Sequence, residues 1–406
     1  MTLRLTDQPW LTASSTRAVM AALEAAGGPG CARFVGGCVR NALLGAPVDD
    51  IDIATTLKPD ETDRAIRAAG LKAVPTGMAH GTVTAVTERT PFEITTLRRD
   101  VSTDGRNATV AFTDDWAEDA ARRDFRLNAL YADAGGQVFD PTGQGVADVE
   151  AGRIVFVGDA ETRITEDYLR ILRFFRFYAW YGRGEPDAAA LAACQTLASG
   201  MARLSAERVS KELMKLLAAP DPRPAMAAMQ AAGVLEQVLP EATSRALFAA
   251  LVELTDDPVL RLMGLLPADV AVATTVSARL RLANAVRDRL VRAATAWPSV
   301  DLSMSDAAVR AAVYRHGARA VVDAAHRRQA EASDRGDDAR RLIRLAQDWT
   351  PPSLPVGGRQ IARLGVAPGP ETGRLLKAFE AGWIADDFPD DGHEARLAAL
   401  VTPPRG

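Results

Sequence analysis

Over about the first 135 residues, hydrophobic positions switch repeatedly between helical and strand-like spacing. A helix ending at Gly27-Gly28 leads to an apolar strand around Arg33–Val35, then to Gly36-Gly37 and a short helix through Leu44. Ile51–Ala54 reads as a strand, and Pro59 opens a helix that stops near Gly70. Thr82–Val86 and Phe92–Leu97, alternating or β-branched, read as two further strands. Beyond Asp140-Pro141 the strand signals fade, apart from a short candidate at Ile154–Val157, and Ala/Leu/Arg segments of helical spacing run to about residue 348. Pro220, Pro222 and Pro224, and again Pro351, Pro352 and Pro355, punctuate the helices. The pattern predicts an α+β protein, with a mixed-sheet head over residues 1–137 and all-helical segments over 138–219, 220–350 and 351–406.

Composition narrows the classes. With 406 residues, 48% hydrophobic and 25% charged, the chain can bury sizeable cores, which excludes global disorder and a single small domain. A net charge of −4 removes the whole-chain signature of a nucleic-acid binder, so a polyanionic partner must meet a local patch. Only five of the 48 basic residues are lysines (Lys58, Lys72, Lys211, Lys215, Lys377). A compositional bias that also raises Ala explains that excess of arginine, so the positions of the arginines carry the argument, not their number. Cys31, Cys38 and Cys194 show neither a C-x-x-C pair nor a matching His spacing, so no disulfide framework or zinc site is expected. MTLRLTDQPW has no apolar h-region, and no stretch approaches the ~20 apolar residues of a membrane span. The expectation is a cytoplasmic protein without membrane attachment.

The most informative stretch is FVGGCVRNALLGAPVDDIDIAT, Phe34 to Thr55. Asp50 and Asp52 are two apart on an expected strand, so both carboxylates point to one face. Like charges that close repel unless a cation lies between them, and Mg²⁺ binds through one or two carboxylates plus substrate phosphates. Gly36-Gly37 sits at a strand-to-helix turn where bare backbone N–H groups would approach a triphosphate, with Arg40 one turn into the helix. Each part alone has an ordinary reading: D-x-D is common, Gly-Gly marks tight turns, and Arg40 would face solvent. Their order within one strand–turn–helix–strand unit is what points to chemistry. Glu93, in PFEITTLRRD, would add a third carboxylate if its strand pairs beside Ile51–Ala54; otherwise it is a solvated edge residue.

GGCVRNALLG…DDIDIAT resembles the class II CCA-adding tRNA nucleotidyltransferases of the polymerase-β nucleotidyltransferase superfamily. The resemblance implies that Asp50 and Asp52 bind two Mg²⁺. Most members carry Asp where this chain has Asn41, which removes a salt bridge from that position. RRDFRLNAL, Arg122 to Leu130, is similar to the family's RRDFTINAL, which places Arg123, Asp124 and Asn128 near the ribose of the incoming nucleotide. Asp124 and Asn128 are i and i+4 and share a face if one helix holds both, although Asp124 reads equally as a helix N-cap. TEDYLRILRFFRF, Thr165 to Phe177, is similar to the family's E-D-x-x-R element. On a helix Asp167 and Arg170 are neighbours and Arg173 continues the row; the resemblance makes Asp167 and Arg170 readers of the base edge of CTP or ATP, and Arg173 a triphosphate contact. In RRDVSTDGRNATVAF, Asp104-Gly105 reads as a hairpin turn. By resemblance Arg98, Asp104, Gly105 and Arg106 belong to the flexible loop associated with switching from C to A addition.

FDPTGQGVADVEAGRIVFVGD resembles the stretch joining head and neck, LSAERVSKELMKLL a neck helix, and GGRQIARLGVAPGPETGRLLKAFEAGW the family tail. PGP there reads equally as a plain helix start. The resemblance thus implies a nucleotidyltransferase head at 1–137, a neck that recognises the base at 138–219, and a tRNA-binding body and tail at 220–350 and 351–406. It also implies CTP and ATP as substrates, Mg²⁺ as cofactor, tRNA as partner and no obligate protein partner. A bacterial poly(A) polymerase and an A-adding or CC-adding enzyme are the alternatives. None of the four histidines is followed by Asp, so the HD motif of an attached phosphohydrolase is absent from the sequence.

Overall fold

The computed structural model describes residues 3–104, 107–332 and 334–401. Its chain divides into two compact units that part between Pro240 and Glu241.

The first unit opens with α1 (Pro9–Thr12) and α2 (Ser14–Gly27), followed by β1 (Ala32–Val35), α3 (Gly37–Leu43), β2 (Asp52–Thr55) and α4 (Pro59–Ala68). Then come β3 (Lys72–Gly77), β4 (Thr82–Thr87), β5 (Thr90–Thr96), β6 (Arg98–Asp104), β7 (Asn107–Phe112), α5 (Trp116–Ala121), β8 (Tyr131–Ala132) and β9 (Val138–Phe139). Seven strands form one sheet in the order β3-β4-β5-β2-β1-β8-β9, while β6 and β7 make a separate two-stranded ribbon. Only β2 and β5 run parallel, because α4 and the β3–β4 pair intervene between them; the other pairs are antiparallel. The expected mixed sheet is therefore present.

Strand alternation sorts the two faces. Phe34, Ile53, Ile94 and Val83 stand in register across β1, β2, β5 and β4, each at most 1% exposed. On the opposite face Val35, Ala54, Leu97, Ala120, Ala129 and Tyr131 form a second core. Asp52 shares that face, two residues before Ala54, so the site begins where this core ends.

The helical part of the unit comprises α6 (Gly145–Ala151), α7 (Ala160–Glu166), α8 (Leu169–Tyr181), α9 (Ala188–Leu197), α10 (Ala206–Leu217), α11 (Arg223–Ala231) and α12 (Val234–Val238). Helix α8 buries Leu169, Ile171, Leu172, Phe174, Phe175 and Phe177. Phe125, from the RRDFRLNAL segment, packs on Phe156 and Phe177 with ring centroids 4.8 and 5.2 Å apart. Each fully buried Phe contributes roughly 1.5–3 kcal/mol, so this aromatic knot fixes the segment to α8. The strand expected at Ile154–Val157 does not form; it is reduced to one bridge, Phe125 with Phe156.

The second unit contains α13 (Arg245–Leu254), α14 (Pro258–Leu265), α15 (Val270–Arg279), α16 (Asn284–Ala296), α17 (Asp306–His316), α18 (Ala318–Glu331), α19 (Gly336–Asp348), α20 (Gly358–Arg363), α21 (Pro370–Ala385) and α22 (His393–Val401). One apolar cluster gathers Val309, Val313, Val321 and Leu342, and another Ile361, Leu375, Phe379 and Trp383. Among the described residues no single helix is long and apolar enough to cross a membrane.

Candidate active site

Asp52 opens β2 and lies in parallel register with Glu93 of β5, so the two carboxylates stand side by side on the site face. Asp50 is exposed and precedes the strand instead of lying on it, which corrects the expectation that one strand carries both aspartates. Its charge nevertheless reaches Asp52. Burial first, then Glu93 and Asp50, push the Asp52 carboxyl up to about 6 against the pull of Arg123. Among the described residues no three His, Cys, Asp or Glu side chains converge as a ready-made cage. The donor set is carboxylate oxygen only, and its crowding raises a proton affinity that a hard divalent cation would relieve. That chemistry fits Mg²⁺, which takes its remaining ligands from water and phosphate.

Gly36 turns the chain from β1 into α3 at φ 72°, ψ −116°, a conformation closed to other residues without strain. Its N–H donates to the Leu130 carbonyl at 3.0 Å and so is not open to a phosphate as expected. A Cβ here would lie 3.7 Å from Arg123 Nη1, which shows how closely that guanidinium covers the turn. Arg123 is held in place by Asp119, a residue that motif reading passed over. Asp119 is 1% exposed and accepts from Arg122 Nη2 at 2.7 Å, Arg123 Nη2 at 2.9 Å and the Tyr131 hydroxyl at 2.7 Å. Burial alone would raise its carboxyl, but the charges of Arg123 and Arg122, with the Tyr131 hydrogen bond, hold it down to about 2.

Arg40 points inward. It is 6% exposed, stacks 4.0 Å over the Tyr181 ring, and donates to Asn128 Oδ1 at 2.5 Å, Asn41 Oδ1 at 2.8 Å and the Tyr181 hydroxyl at 2.8 Å. Neither a solvent-facing nor a phosphate-facing Arg40 is observed; burial against α8 decides its direction. Asn41 gives Arg40 a neutral acceptor, and its own Nδ2 is tied to the Pro47 carbonyl at 2.8 Å.

Asn128 Nδ2 donates to Asp124 Oδ1 at 3.1 Å, and Arg173 Nε to Asp124 Oδ2 at 2.7 Å. Asp124 and Asn128 thus meet, although no helix holds both. Phe125 is extended, and Arg126 and Val157 bond back to Val155 and Asp124, leaving only a 3₁₀ turn at Arg126–Asn128. Asp124 is not the cap of that turn. Burial works to raise its carboxyl, but Arg173 and the Asn128 hydrogen bond outweigh it and hold it down to about 2. A polar chain therefore runs Asn41–Arg40–Asn128–Asp124–Arg173 from α3 to α8.

The expected Asp167–Arg170 pair is not made. The backbone is extended at Asp167 (φ −154°, ψ 105°), where α7 ends, and this swings the carboxylate out of the helical row. Asp167 Oδ1 instead accepts from the Leu169 N–H at 3.1 Å, and Oδ2 from Arg208 Nη2 of α10 at 2.6 Å. Arg170 bonds Glu166, four residues earlier, and the Arg163 carbonyl at 2.6 Å; Arg163 also holds Glu166, at 2.8 Å, and reaches the Arg122 carbonyl. Glycine is required at Gly200, where a Cβ would fall 1.8 Å from the Tyr168 ring packed at this break. Arg208 and Glu166 were missed because their roles depend on partners or helix ends that spacing alone does not reveal.

In the ribbon, Asp104 stands opposite Asn107, in line with a hairpin at this point, while Gly105 and Arg106 lie outside the described residues. Arg98 bonds the His80 carbonyl through its guanidinium and Asp119 Oδ1 through its backbone N–H, at 3.3 Å, which ties the ribbon's root to the Arg123 anchor.

A carboxylate pair on two central strands, near a guanidinium that covers a glycine turn, on this fold defines a nucleotidyltransferase. Residues 32–155 match the family model described as the poly A polymerase head domain, and residues 185–245 one described as a probable RNA and SrmB-binding site of polymerase A. The chain is 33% identical over 366 residues to mitochondrial CCA tRNA nucleotidyltransferase 1 of Mus musculus, covering 86% of this chain and 82% of the relative. It is 32% identical over 373 residues to the CCA-adding enzyme of Streptococcus gordonii, covering 89% and 90%. The fold is similar to that of the Bacillus stearothermophilus CCA-adding enzyme in complex with CTP, with a TM-score of 0.74 at 24% identity over 95% of this chain and 97% of that one. It is also similar to the Thermotoga maritima CCA-adding enzyme complexed with tRNA, with a TM-score of 0.68 at 17% identity over 99% and 98%. The chain belongs to the CCA-adding tRNA nucleotidyltransferase family.

Proposed function

We propose that this protein adds C, C and A in turn to the 3′ end of tRNA from CTP and ATP, releasing pyrophosphate at each step. The observation that carries the reading is the Asp52–Glu93 pair on the site face, with Arg123 fixed above Gly36. Asp50 and Asp52 would hold Mg²⁺, with Glu93 beside them. Bound there, it would supply activation of the primer hydroxyl and neutralisation of charge on the phosphates.

The chain's own residues position the reactants. Arg123, fixed by Asp119, offers its guanidinium to the triphosphate or ribose. Asp124, Asn128 and Arg173 set the wall behind it, and Arg40 braces that wall without touching phosphate. Asp167, clamped by Arg208, and Arg170, clamped by Glu166, present an acceptor and a fork of donors to the base edge. Arg98, Asp104, Gly105 and Arg106 take part in the change from C to A addition.

We assign catalysis to residues 1–137, base recognition to 138–219, tRNA binding to 220–350 and 351–406, and the setting to the cytoplasm. Incubating the protein with tRNA lacking CCA, Mg²⁺ and CTP, ATP or both, then sequencing the 3′ ends, tests the reading. CCA with both nucleotides and CC with CTP alone are expected. A poly(A) tract, or products of A only or CC only with both nucleotides present, would overturn it.

A further inference from the structure

The C-terminal end of α8 carries a surface that the active-site network leaves unused. Trp180 is 41% exposed, yet its ring is fixed, because Nε1 donates to the Lys215 carbonyl at 2.8 Å. It therefore presents a flat aromatic face at little further entropic cost. Its neighbour Tyr181, with ring centroids 6.4 Å apart, is the residue whose hydroxyl accepts from Arg40. The exposed ring thus stands where the polar chain behind the nucleotide site reaches the surface.

Helix α10 sets Lys211 and Lys215 one turn apart beside it, both exposed. Among the described residues neither lysine makes a salt bridge, and they are two of only five lysines in the chain. Arg176 and Arg173 lie nearby but are neutralised by Glu212, at 2.5 Å, and by Asp124, so the positive charge here is that of the two lysines. In a chain of net charge −4, two exposed ammonium groups thus lie on the helix that holds an exposed aromatic ring. An aromatic face for any base, with flanking ammonium groups for phosphates, is how single-stranded nucleic acid is held without sequence readout.

We infer that Trp180, Lys211 and Lys215 form a docking platform for the unpaired 3′ end of the RNA primer. A base stacks on the Trp180 ring and the two lysines take flanking phosphates. The inference rests on the nucleotidyl-transfer reading and deepens it, because it names the surface that feeds the primer to the site.

The test compares CTP incorporation by the full-length wild type, Trp180→Ala, Trp180→Phe and Lys211→Gln/Lys215→Gln. The RNAs are tRNA lacking CCA and the same tRNA trimmed to a blunt acceptor stem, the latter used for binding only. Trp180→Ala should raise KM for tRNA roughly tenfold, within the range of base–aromatic stacking, while KM for CTP stays unchanged. Trp180→Phe should recover most of that loss, and the penalty should vanish in binding to the blunt stem. The double lysine variant should weaken binding and reduce the slope of log affinity against log salt by about 1.4. An unaltered KM for tRNA in Trp180→Ala, or an equal penalty on the blunt stem, would overturn the platform. Wild type that fails to incorporate any nucleotide would instead overturn the function proposed above, so the two failures are distinct.

Discussion

Replacing Asp119 by Asn removes one charge and almost no volume from the point where Arg122, Arg123 and Tyr131 converge. Above the unfolded carboxyl pKa of about 4 the native charge is stabilising, and that contribution disappears as pH falls through about 2, where the folded group titrates. A depression from 3.8 to about 2, at 1.36 kcal/mol per unit, makes it worth on the order of 2–3 kcal/mol at neutral pH. The Asn variant also turns an NH₂ toward three donors and leaves two guanidinium groups without a counter-charge, which brings the loss to about 3–5 kcal/mol. Urea unfolding at pH 7 should show the lower midpoint at unchanged slope, and KM for CTP should rise at least tenfold as Arg123 loses its anchor. Asp119→Asn combined with Arg123→Met should lose less than the sum of the two single changes. An unfolding free energy within about 0.5 kcal/mol of wild type together with an unchanged KM for CTP would refute the anchoring argument.

Asp52→Asn should abolish incorporation yet stabilise the chelator-treated protein at pH 8. A carboxyl raised to about 6 binds its proton more tightly folded than unfolded, so it erodes stability as pH climbs from about 4 through 6. After screening, the gain is on the order of 1–2 kcal/mol, and a Tm at pH 8 equal to or below wild type would contradict it. Arg208→Ala should free Asp167 and lower the kcat/KM preference for CTP and ATP over UTP and GTP roughly tenfold, as loss of one charge-assisted hydrogen bond predicts; unchanged preference would remove Arg208 from base selection. Gly36→Ala meets only ordinary contacts, at 3.5 Å from the Asn128 carbonyl and 3.7 Å from Arg123, so its penalty is backbone strain of about 1–3 kcal/mol. Thermal unfolding reads it directly, and a stability equal to wild type would mean the turn tolerates a side chain.

Short-range pattern made much of the head legible. Ile51–Ala54, Thr82–Val86 and Phe92–Leu97 all fall on observed strands, shifted by a residue or two, and the predominance of helix after Asp140 holds. What spacing could not supply was the partner. Asp167 and Arg170 stand three apart and invite an intrahelical pair, but one extended residue sends each to a different carboxylate or guanidinium. Arg40 carried the composition of a surface residue and is buried because Tyr181, 141 positions away, receives it. Asp119 sits on an unremarkable helical segment, WAEDAA, and gains importance only when Tyr131 and two consecutive arginines fold onto it. The short strands β8 and β9, two residues each, offer too little alternation to be read at all.

The run of side chains from Asn41 to Arg173 bears on how such a protein can be rebuilt. Each member saturates the next, so the helix to which we assign base recognition is not an interchangeable cartridge. A chimera that grafts a foreign α8 onto this head would bury Asp124 without its cation and Arg40 without its aromatic bed, unless the donor also brings an arginine and a tyrosine to those two places. Specificity engineering in this enzyme is therefore better aimed at Asp167 and Arg170, the residues to which we assign base recognition, than at exchange of the whole element.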